Sequence, residues 1–179
     1  MNPTLQEEPK LGDTYPMSTV ATLVVGQDGS ATKNASSTDI SSKADREIFL
    51  NRRRHVDVII IGGNTARNES YRRSPVPVIV CSRSSINPLE ENPIAQLWNC
   101  SPGEAVDKAR KLFGENVLIE GGPKMIMDLV KSGKIDQLEL SMTQVTGGEN
   151  IVDWQLLLSH FKHIEMKQFD DTQFYSASN

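Results

Sequence analysis

The sequence of 179 residues contains only two cysteines, and aromatic residues make up just 6% of it. Two cysteines, Cys81 and Cys100, are too few for a disulfide framework, so they indicate a reduced protein. No apolar run is long enough to span a membrane, and the first residues lack the charged and apolar segments of a signal peptide. We therefore expect a cytoplasmic protein with no membrane partner.

Positive charge is also scarce, because 19 lysines and arginines stand against 23 aspartates and glutamates, for a net charge of −4. This balance argues against a nucleic-acid partner. Two phosphate-binding signatures, G-x-G-x-x-G and G-x-x-x-x-G-K-S/T, are missing, so neither a Rossmann nor a P-loop assignment is supported. His160 and His163 have the spacing of a metal pair, but without a third ligand they favour a solvated helix face. We therefore expect no metal.

One pattern occurs twice in the chain. Residues 58–61 (VIII) run into Gly62-Gly63, and residues 117–120 (VLIE) run into Gly121-Gly122. Each is an apolar strand that ends in paired glycines and then enters a helix. Glycine lets a ligand approach the main chain, and a helix N-terminus suits phosphate. Either turn alone indicates only a tight connection, but two at the same edge of one sheet could hold the two ends of a dinucleotide.

Strands alternate with helices along the rest of the chain. The predicted strands are 18–25, 56–61, 77–81, 116–119 and 138–142. One predicted helix is capped by Ser42, carries an apolar stripe of Ala44, Ile48 and Phe49, and ends near residues 52–54. Two more are predicted over 103–113 and from Pro123 to the stop at Gly133. Residues 163–169 and 173–176 predict a closing hairpin, residues 27–40 a loop, and residues 84–102 show no clear pattern. These features predict an α/β fold, a mostly parallel sheet flanked by helices with an antiparallel C-terminal hairpin. We expect a flexible arm over residues 1–17 and a single domain over residues 18–179.

Four blocks of the chain match the motifs of one known family, in order. They are Gln27-Asp28-Gly29; Ser41 with Ala44-Asp45-Arg46; Gly62-Gly63-Asn64-Thr65-Ala66-Arg67 with Glu69; and Leu118-Ile119-Glu120-Gly121-Gly122-Pro123. The chain resembles the reductase domain of riboflavin biosynthesis, a family with a dihydrofolate-reductase-like fold. The resemblance covers roughly residues 19–148. The Glu-Gly-Gly-Pro block together with the Gly-x-Asn-Thr-x-Arg block makes it specific.

This resemblance implies an NADPH-dependent oxidoreductase. The substrate would be a ribosylaminopyrimidine 5′-phosphate, and hydride would go to C1′ of the ribose, through its ring-opened imine, to leave a ribityl side chain. Such an imine must be protonated to accept hydride readily, so an acid or an ordered water is needed nearby. Bifunctional members of the family carry a zinc deaminase domain, whose H-x-E and P-C-x-x-C signature is absent here. The expected activity is therefore reduction alone.

The resemblance also implies roles for individual residues. The residues that match the family's cofactor-binding turns are Gly62, Gly63, Thr65, Gly121 and Gly122. Ser82 and Arg83 follow a strand where relatives of this fold meet the adenosine 2′-phosphate, and an arginine fork beside a hydroxyl suits that group. The candidate catalytic groups are Glu120 and Asp28, and the candidate substrate contacts are Ser41, Arg67 and Glu69.

Each assignment has a structural alternative. Asp28-Gly29 can be a simple turn, Arg83 a solvated charge, and Ser41 a helix cap. Glu120 ends a buried strand, where low dielectric would raise its pKa and favour an acid role, unless an arginine or a backbone donor pairs with it and stabilises the turn. We expect the arginines at positions 52–54 to complement the C-terminus of a helix.

Two other functions stay open, and the oligomeric state is a separate expectation. The fold can serve a different small-molecule reductase, since fold does not fix substrate. A non-catalytic homologue could also bind a nucleotide without turnover. We expect a homodimer, partly from the family and partly from the half-apolar strand 138–142.

Overall fold

The computed structural model describes residues 18–179, and the flexible arm expected over residues 1–17 lies outside the described residues. The strands are β1 (Thr19–Val25), β2 (Ser30–Thr32), β3 (Val58–Gly62), β4 (Val78–Cys81), β5 (Ala95–Trp98), β6 (Val117–Ile119), β7 (Gln137–Met142), β8 (Glu149–Ile151), β9 (His163–Phe169) and β10 (Thr172–Ser178). The α-helices are α1 (Lys43–Arg52), α2 (Gly63–Asn68), α3 (Pro102–Phe113), α4 (Pro123–Lys131) and α5 (Trp154–Leu158), and a 3₁₀ turn (Arg53–His55) follows α1. Within residues 18–179, no helix combines the length and the apolar character needed to cross a membrane.

Eight strands form one sheet in the order β5-β4-β3-β6-β1-β7-β10-β9. The strands from β5 to β7 run parallel to one another, whereas β10 runs antiparallel to both β7 and β9. The predicted mostly parallel sheet with an antiparallel C-terminal end is confirmed. The register sets Gly62 of β3 beside Cys81 of β4, and Ile60 of β3 beside Ile119 of β6. The two glycine turns therefore emerge side by side at the carboxyl edge of the sheet.

Both faces of the sheet are covered, which explains its continuous apolar strands. In β3, Val58 and Ile60 belong to the core that includes residues of α3, α4 and α5. Ile59 and Ile61 belong to a second core on the other face, which includes Ala66 of α2. A strand buried on both faces needs an apolar side chain at every position, whereas a strand with one solvated face would alternate.

Helix α1 departs from the predicted apolar stripe. Ser42 caps it, and the Ser42 side chain accepts a hydrogen bond from the Asp45 N–H at 3.1 Å. Ile48, which the stripe would have buried, is 42% exposed, whereas Asp45 is buried. The helix thus turns a polar side inward, because the space that Asp45 faces is a cavity rather than apolar core.

Two elements gave no clear signal in the sequence. Strand β5 lies at one edge of the sheet, inside the unassigned segment 84–102, and its sequence Ala-Gln-Leu-Trp contains no β-branched residue. Strands β2 and β8 pair with each other to form a separate two-stranded sheet. With three residues each, they are too short to show a period. Strand β2 lies in the stretch 27–40 that the sequence predicted as a loop.

Strand β7 is interior, which corrects one basis of the dimer expectation. Leu138 and Leu140 are 0% and 1% exposed, because β7 lies between β1 and β10 and packs on the core. On its other face, Glu139 accepts a hydrogen bond from Arg52 Nη2 at 3.0 Å. The half-apolar strand 138–142 is therefore not available as a surface for a second subunit.

The sequence suggested that His160 and His163 lie on one helix face, but in the structure they do not. His160 follows α5, whereas His163 begins β9, and both side chains are exposed. The hairpin strand begins at His163, so the spacing of three residues spans a chain reversal rather than one helical turn. Among residues 18–179, no group of three or more His, Cys, Asp or Glu side chains could hold a metal ion.

Candidate active site

A cavity of about 1020 Å³ opens where the parallel strands end. It is lined by residues that follow β3, β4 and β6, by residues of α1, and by the two-stranded sheet of β2 and β8, which we call the flap. All site residues predicted from the sequence line this cavity except Asp28. Those that line it are Ser41, Gly62, Gly63, Thr65, Arg67, Glu69, Ser82, Arg83, Glu120, Gly121 and Gly122. The fold therefore gathers these residues from four separate stretches of the chain around one space.

The paired glycines differ in what they face. A Cβ on Gly63 would lie 2.8 Å from Ser82 Oγ, and one on Gly121 would lie 2.7 Å from Met125 Sδ, so a larger residue at either position would have to displace a neighbouring side chain. A Cβ on Gly122 would meet nothing within 4 Å. Gly122 has a φ of −67°, which any residue can adopt. Protein packing therefore does not require a glycine at position 122, and the open space there leaves room for a ligand to approach the main chain from the cavity.

The helix that starts after Gly122 also presents unpaired donors. No side chain caps α4, whereas the Ser101 side chain caps α3 and the Asp153 side chain caps α5. The N–H groups of the first helical turn otherwise need a partner. Lys124 and Met125, whose N–H groups lie in that turn, line the cavity. Together with the open space at Gly122, this arrangement can accept an anionic group of a ligand.

Glu120 is the buried acidic group at the centre of this edge, with 5% of its surface exposed. Its Oε1 accepts a hydrogen bond from Arg53 Nε at 2.8 Å, and its Oε2 accepts one from Arg53 Nη2 at 2.6 Å. The Tyr71 hydroxyl donates a further hydrogen bond to Oε2 at 2.6 Å. This bidentate pairing is the arrangement that the structural alternative for Glu120 describes.

Arg53 is the site residue that the sequence analysis misassigned. We expected the arginines at positions 52–54 to complement a helix end, but Arg53 is only 6% exposed and turns into the cavity wall. Its guanidinium carbon lies 4.4 Å from the ring centre of Phe49 and 4.6 Å from that of Tyr71, so two aromatic faces sandwich it. A buried carboxylate needs a cationic partner, and this requirement at Glu120 was the signal that could have identified an arginine.

The electrostatics of this cluster keep Arg53 charged. Burial lowers the pKa of the Arg53 guanidinium, but the hydrogen bonds and negative charge of Glu120 outweigh burial, so the pKa lies above its ordinary value. Burial, reinforced by the charge of Glu120, raises the pKa of Tyr71 well above its ordinary value. Tyr71 therefore stays protonated at neutral pH and donates to the carboxylate. Glu120 takes only two of the five N–H donors of the guanidinium, which leaves Arg53 able to bind an anion in the cavity.

Another buried carboxylate, that of Asp45, lines the cavity and was not among the predicted site residues. Asp45 is 8% exposed and accepts a short hydrogen bond from the Ser41 hydroxyl. Within residues 18–179 it forms no ion pair with a lysine or arginine. Ser41 therefore does not cap α1, a task that Ser42 performs, but pairs with Asp45 at the cavity wall.

The predicted substrate contacts on α2 have different surroundings. Glu69 accepts hydrogen bonds from the Ser37 N–H at 2.6 Å and from the Ser36 hydroxyl at 3.1 Å, so it ties the loop after β2 to the end of α2. Arg67 is exposed and donates to the Asn64 side chain. Glu69 thus shapes the rim of the cavity, whereas Arg67 keeps further donors for a ligand.

The stretch after β4 carries the predicted 2′-phosphate contacts. Ser82 Oγ accepts a hydrogen bond from the Ser84 N–H at 3.2 Å, which bends the chain after the strand. Arg83 is exposed, lines the cavity, and forms no ion pair with a residue of the range 18–179. Next to this stretch, burial and the neighbouring Cys100 raise the pKa of Cys81 to about 11. The thiol at the cavity wall therefore stays protonated at neutral pH.

Asp28 does not line the cavity but holds the flap. One carboxylate oxygen accepts hydrogen bonds from the Ser30 hydroxyl at 2.6 Å and the Ser30 N–H at 3.1 Å, and the other accepts one from the Gly147 N–H at 2.6 Å. Ser30 begins β2, and Gly147 lies just before β8. Asp28 therefore joins the two halves of the flap at its base. These hydrogen bonds, the one from the Ser30 side chain above all, lower the pKa of Asp28 from 3.8 to about 2.

Replacing Glu120 by glutamine should lower the free energy of unfolding by about 3–5 kcal/mol, because Arg53 would keep its charge in a buried site without a full partner. Denaturant unfolding measures the loss. The matched control is Glu91→Gln, which removes an ion pair to Arg72 whose two side chains are 72% and 81% exposed. That change should cost less than about 1 kcal/mol. Equal losses in the two variants would contradict the role of Glu120 in holding Arg53.

Replacing Asp28 by asparagine should loosen the flap, since an amide cannot accept hydrogen bonds at both of its ends. We expect faster hydrogen exchange at the Ser30 and Gly147 N–H groups, measured by NMR. The control is Asp39→Asn, an exposed carboxylate that accepts a hydrogen bond from Asn34 at 2.9 Å. In the wild type, folding lowers the pKa of Asp28 from 3.8 to about 2. The Ser30 and Gly147 N–H groups should therefore be fully protected from exchange above pH 3.8 and lose this protection as the pH falls to about 2. Unchanged protection of Gly147 in Asp28→Asn would show that Asp28 does not hold the flap.

Solved structures of similar fold include several reductases. A deaminase/5-amino-6-(5-phosphoribosylamino)uracil reductase from Thermotoga maritima is 14% identical, with a TM-score of 0.63 over 90% of this chain and 56% of that chain. A pyrimidine reductase-like protein from Corynebacterium diphtheriae is 16% identical, with a TM-score of 0.62 over 90% of this chain and 91% of that one. Dihydrofolate reductase from Enterococcus faecalis, complexed with NADP(H), is 15% identical, with a TM-score of 0.65 over 91% of this chain and 97% of that one.

The structural similarity to these proteins establishes the fold, which is dihydrofolate-reductase-like, as the resemblance implied. The chain spans little more than half the length of the Thermotoga maritima protein. A search of curated proteins found no match. A family model described as the RibD C-terminal domain matches residues 20–172, which is most of the sequence. The chain therefore belongs to the RibD C-terminal domain family.

Proposed function

We propose that this protein is an NADPH-dependent oxidoreductase that converts a ribosylaminopyrimidine 5′-phosphate to its ribitylamino form. The observation that supports it best is the cavity, where both glycine turns and the Arg53–Glu120 pair meet at one edge of a RibD C-terminal domain fold. The names of two proteins with similar structures include a reductase of this type, and a third was solved with NADP(H). We place the activity in a single cytoplasmic domain over residues 18–179.

In this proposal the two glycine turns hold the cofactor. Gly62, Gly63 and Thr65 would contact one part of NADPH, and Gly121 and Gly122 another. The open space at Gly122 and the uncapped start of α4 fit a ligand that carries phosphates close to the main chain. The nicotinamide supplies the hydride when it is bound. The side chains of the protein position the substrate and deliver a proton.

The substrate would occupy the part of the cavity next to Arg53. The guanidinium, fixed by Glu120 and by two aromatic rings, offers its remaining N–H groups to an anionic or carbonyl oxygen. Ser41, Arg67 and Glu69 are the further substrate contacts. Ser41 and Asp45 form a hydroxyl–carboxylate pair at the cavity wall. Asp45 would give a proton to the opening ribose from its protonated form and would recover one from solvent afterwards.

Within the proposal, the two predicted catalytic residues act differently. The pairing of Glu120 favours orientation of Arg53 over proton donation, and Asp28 acts on the reaction through the flap. Single-turnover hydride transfer in Glu120→Gln, measured per folded molecule, separates the two alternatives for Glu120. A positioned acid would give a loss of roughly 10²-fold or more. Nearly intact transfer in a well-folded preparation would leave only the structural role.

The purified protein should oxidise NADPH when it is given a phosphoribosylaminopyrimidine, and the product should carry a ribityl chain, which mass spectrometry detects as a gain of two hydrogens. Gly122→Val should lose cofactor binding while it stays folded, because the added side chain would enter open space that the ligand needs. The control is Gly103→Ala, in the first turn of α3, at a position that does not itself line the cavity and where the nearest atom to a Cβ is 3.9 Å away. NADPH binding without turnover of either the deaminated or the amino substrate would favour a different reductase or a non-catalytic homologue.

Cofactor preference tests the assignment of Arg83. Arg83→Ala should weaken NADPH binding about 10- to 100-fold and leave NADH binding nearly unchanged, because an arginine–phosphate contact contributes roughly 1.5–3 kcal/mol. Fluorescence titration with both cofactors measures the two changes. Arg72→Ala, an exposed arginine outside the cavity, is the matched control. Equal losses for NADPH and NADH would remove Arg83 from the 2′-phosphate site.

A further inference from the structure

Two buried threonines lie where the pairing of β7 with β10 ends. Strand β7 ends at Met142, whose partner in β10 is Gln173. Thr143 follows Met142, and Thr172 precedes Gln173, so the two threonines are the next residues beyond this last pair. Their exposed fractions are only 3% and 0%. Burying a hydroxyl is costly unless it forms a hydrogen bond, so the partners of these side chains show what they hold in place.

Both hydroxyls bond to the segment that leads into α1. The Thr143 hydroxyl donates a hydrogen bond to the carbonyl oxygen of Ile40 at 2.7 Å. The Thr172 hydroxyl donates one to Ser42 Oγ at 2.8 Å. Ile40 and Ser42 are the two chain neighbours of Ser41, which lines the cavity. The two threonines therefore hold the chain on both sides of Ser41.

The large sheet fixes the two threonines themselves. The Thr143 N–H donates a hydrogen bond to the carbonyl oxygen of Val25, at the end of β1, at 2.9 Å. Thr172 is paired with Phe169 across the C-terminal hairpin. Its hydroxyl also lies 3.3 Å from Asp171 Oδ1, which is the longer of its two contacts. The segment before α1 is thus attached to backbone that the strands of the large sheet hold in order.

The contacts of this segment continue to Asp45. Ser42 Oγ accepts a hydrogen bond from the Asp45 N–H at 3.1 Å, and the Ser41 hydroxyl donates a short one to the Asp45 carboxylate. A group that takes part in a reaction must be placed accurately, because a displacement of about 1 Å can lower the rate by roughly 100-fold. The position of the Ser41–Asp45 pair therefore depends on Thr143 and Thr172, which do not line the cavity.

We propose that Thr143 and Thr172 are positioning residues, which hold the Ser41–Asp45 pair where it can deliver a proton to the substrate. This inference rests on the proposed function, in which Asp45 gives that proton. Each threonine acts through a chain neighbour of Ser41 and not through a contact with substrate or cofactor. The antiparallel end of the sheet, which carries neither glycine turn, thus takes part in the reaction through two hydroxyl groups.

Two kinds of substitution separate positioning from packing. Thr143→Val and Thr172→Val keep the shape of the side chain and remove the hydroxyl, whereas Thr143→Ser and Thr172→Ser keep the hydroxyl and remove a methyl group. Single-turnover hydride transfer per folded molecule should fall about tenfold or more in the valine variants and stay within about threefold of wild type in the serine variants. NADPH affinity should be nearly unchanged in all four variants, because the glycine turns are intact.

Thr19→Val is the matched control. Thr19 is 0% exposed, and its hydroxyl has no hydrogen-bond partner within residues 18–179. It begins β1 and does not line the cavity. This variant removes a buried hydroxyl from the same sheet without removing a contact to the segment before α1. It should therefore transfer hydride at the wild-type rate.

Ser42→Ala tests the path from Thr172 and gives a second measurement at a half-buried position. Because Thr172 acts through the Ser42 hydroxyl, the double variant Ser42→Ala/Thr172→Val should lose no more hydride transfer than Ser42→Ala alone. Losses that multiply in the double variant would show that the two residues act independently. Circular dichroism confirms that each variant is folded.

A measurement without substrate separates this inference from the proposed function. The carboxyl carbon resonance of Asp45, followed by NMR, responds to the hydrogen bond that Asp45 accepts from Ser41. It should move in Thr143→Val and Thr172→Val, but not in the serine variants or in Thr19→Val.

Each threonine is judged by its own pair of variants. Loss of hydride transfer in the valine variant and its recovery in the serine variant support the proposal. Serine variants that lose as much as the valine variants overturn it, because transfer would then follow packing and not the hydroxyl. An Asp45 resonance that none of the substitutions moves also overturns it. If the wild-type protein reduces no phosphoribosylaminopyrimidine, the proposed function fails, and the NMR comparison alone shows whether the threonines fix the pair.

Discussion

The buried pair of Arg53 and Glu120, together with Tyr71, joins three parts of the chain that are distant in sequence. Arg53 begins the 3₁₀ turn after α1, Glu120 follows β6, and Tyr71 comes from the segment after α2. A carboxylate and a guanidinium that are both almost fully buried must be paired, since an isolated charge in such a site is very costly. The pair therefore fixes how α1 and the segment after α2 sit against the sheet, and with them two walls of the cavity. Its two aromatic neighbours hold the guanidinium plane in place.

The cavity itself follows from a simple constraint on parallel sheets. All parallel strands end at one edge, so every strand-to-helix connection contributes to the same surface. Here two neighbouring connections consist of paired glycines, and their short side chains leave space where longer ones would fill it. The glycines differ in their surroundings. Gly63 and Gly121 pack closely against side chains of the protein, whereas Gly122 faces open space. Gly63 and Gly121 thus allow close packing around the site, whereas the missing side chain of Gly122 keeps the cavity open.

Outside the cavity, a polar residue such as Asp28 can have a structural role although it has features that are typical of a functional residue. Asp28 has the position of a family motif and a strongly lowered pKa, but its hydrogen bonds all go to the flap. A perturbed pKa thus marks a group with strong local partners, and only the geometry shows whether a ligand is one of them. The C-terminal hairpin presents the opposite case, because the side chains of β9 are all exposed, and within the described residues its Glu165 and Lys167 form no ion pair.

The sequence by itself determined the class of fold and most of the elements. Continuous apolar runs in β3 and β6, the capping residue Ser42, and the stop at Gly133 are local signals, so they predict local structure. Nearly all the site residues that the sequence identified line the cavity, because the glycine motifs mark strand ends. Short segments without a period, such as β2, β5 and β8, gave no comparable signal. What only the tertiary structure decided are the partners: that Arg53 rather than water meets Glu120, that Asp45 faces the cavity and Asp28 does not, and that β9 rather than β7 is exposed. Partners are set by distances between residues far apart in the chain, and no local pattern contains those distances.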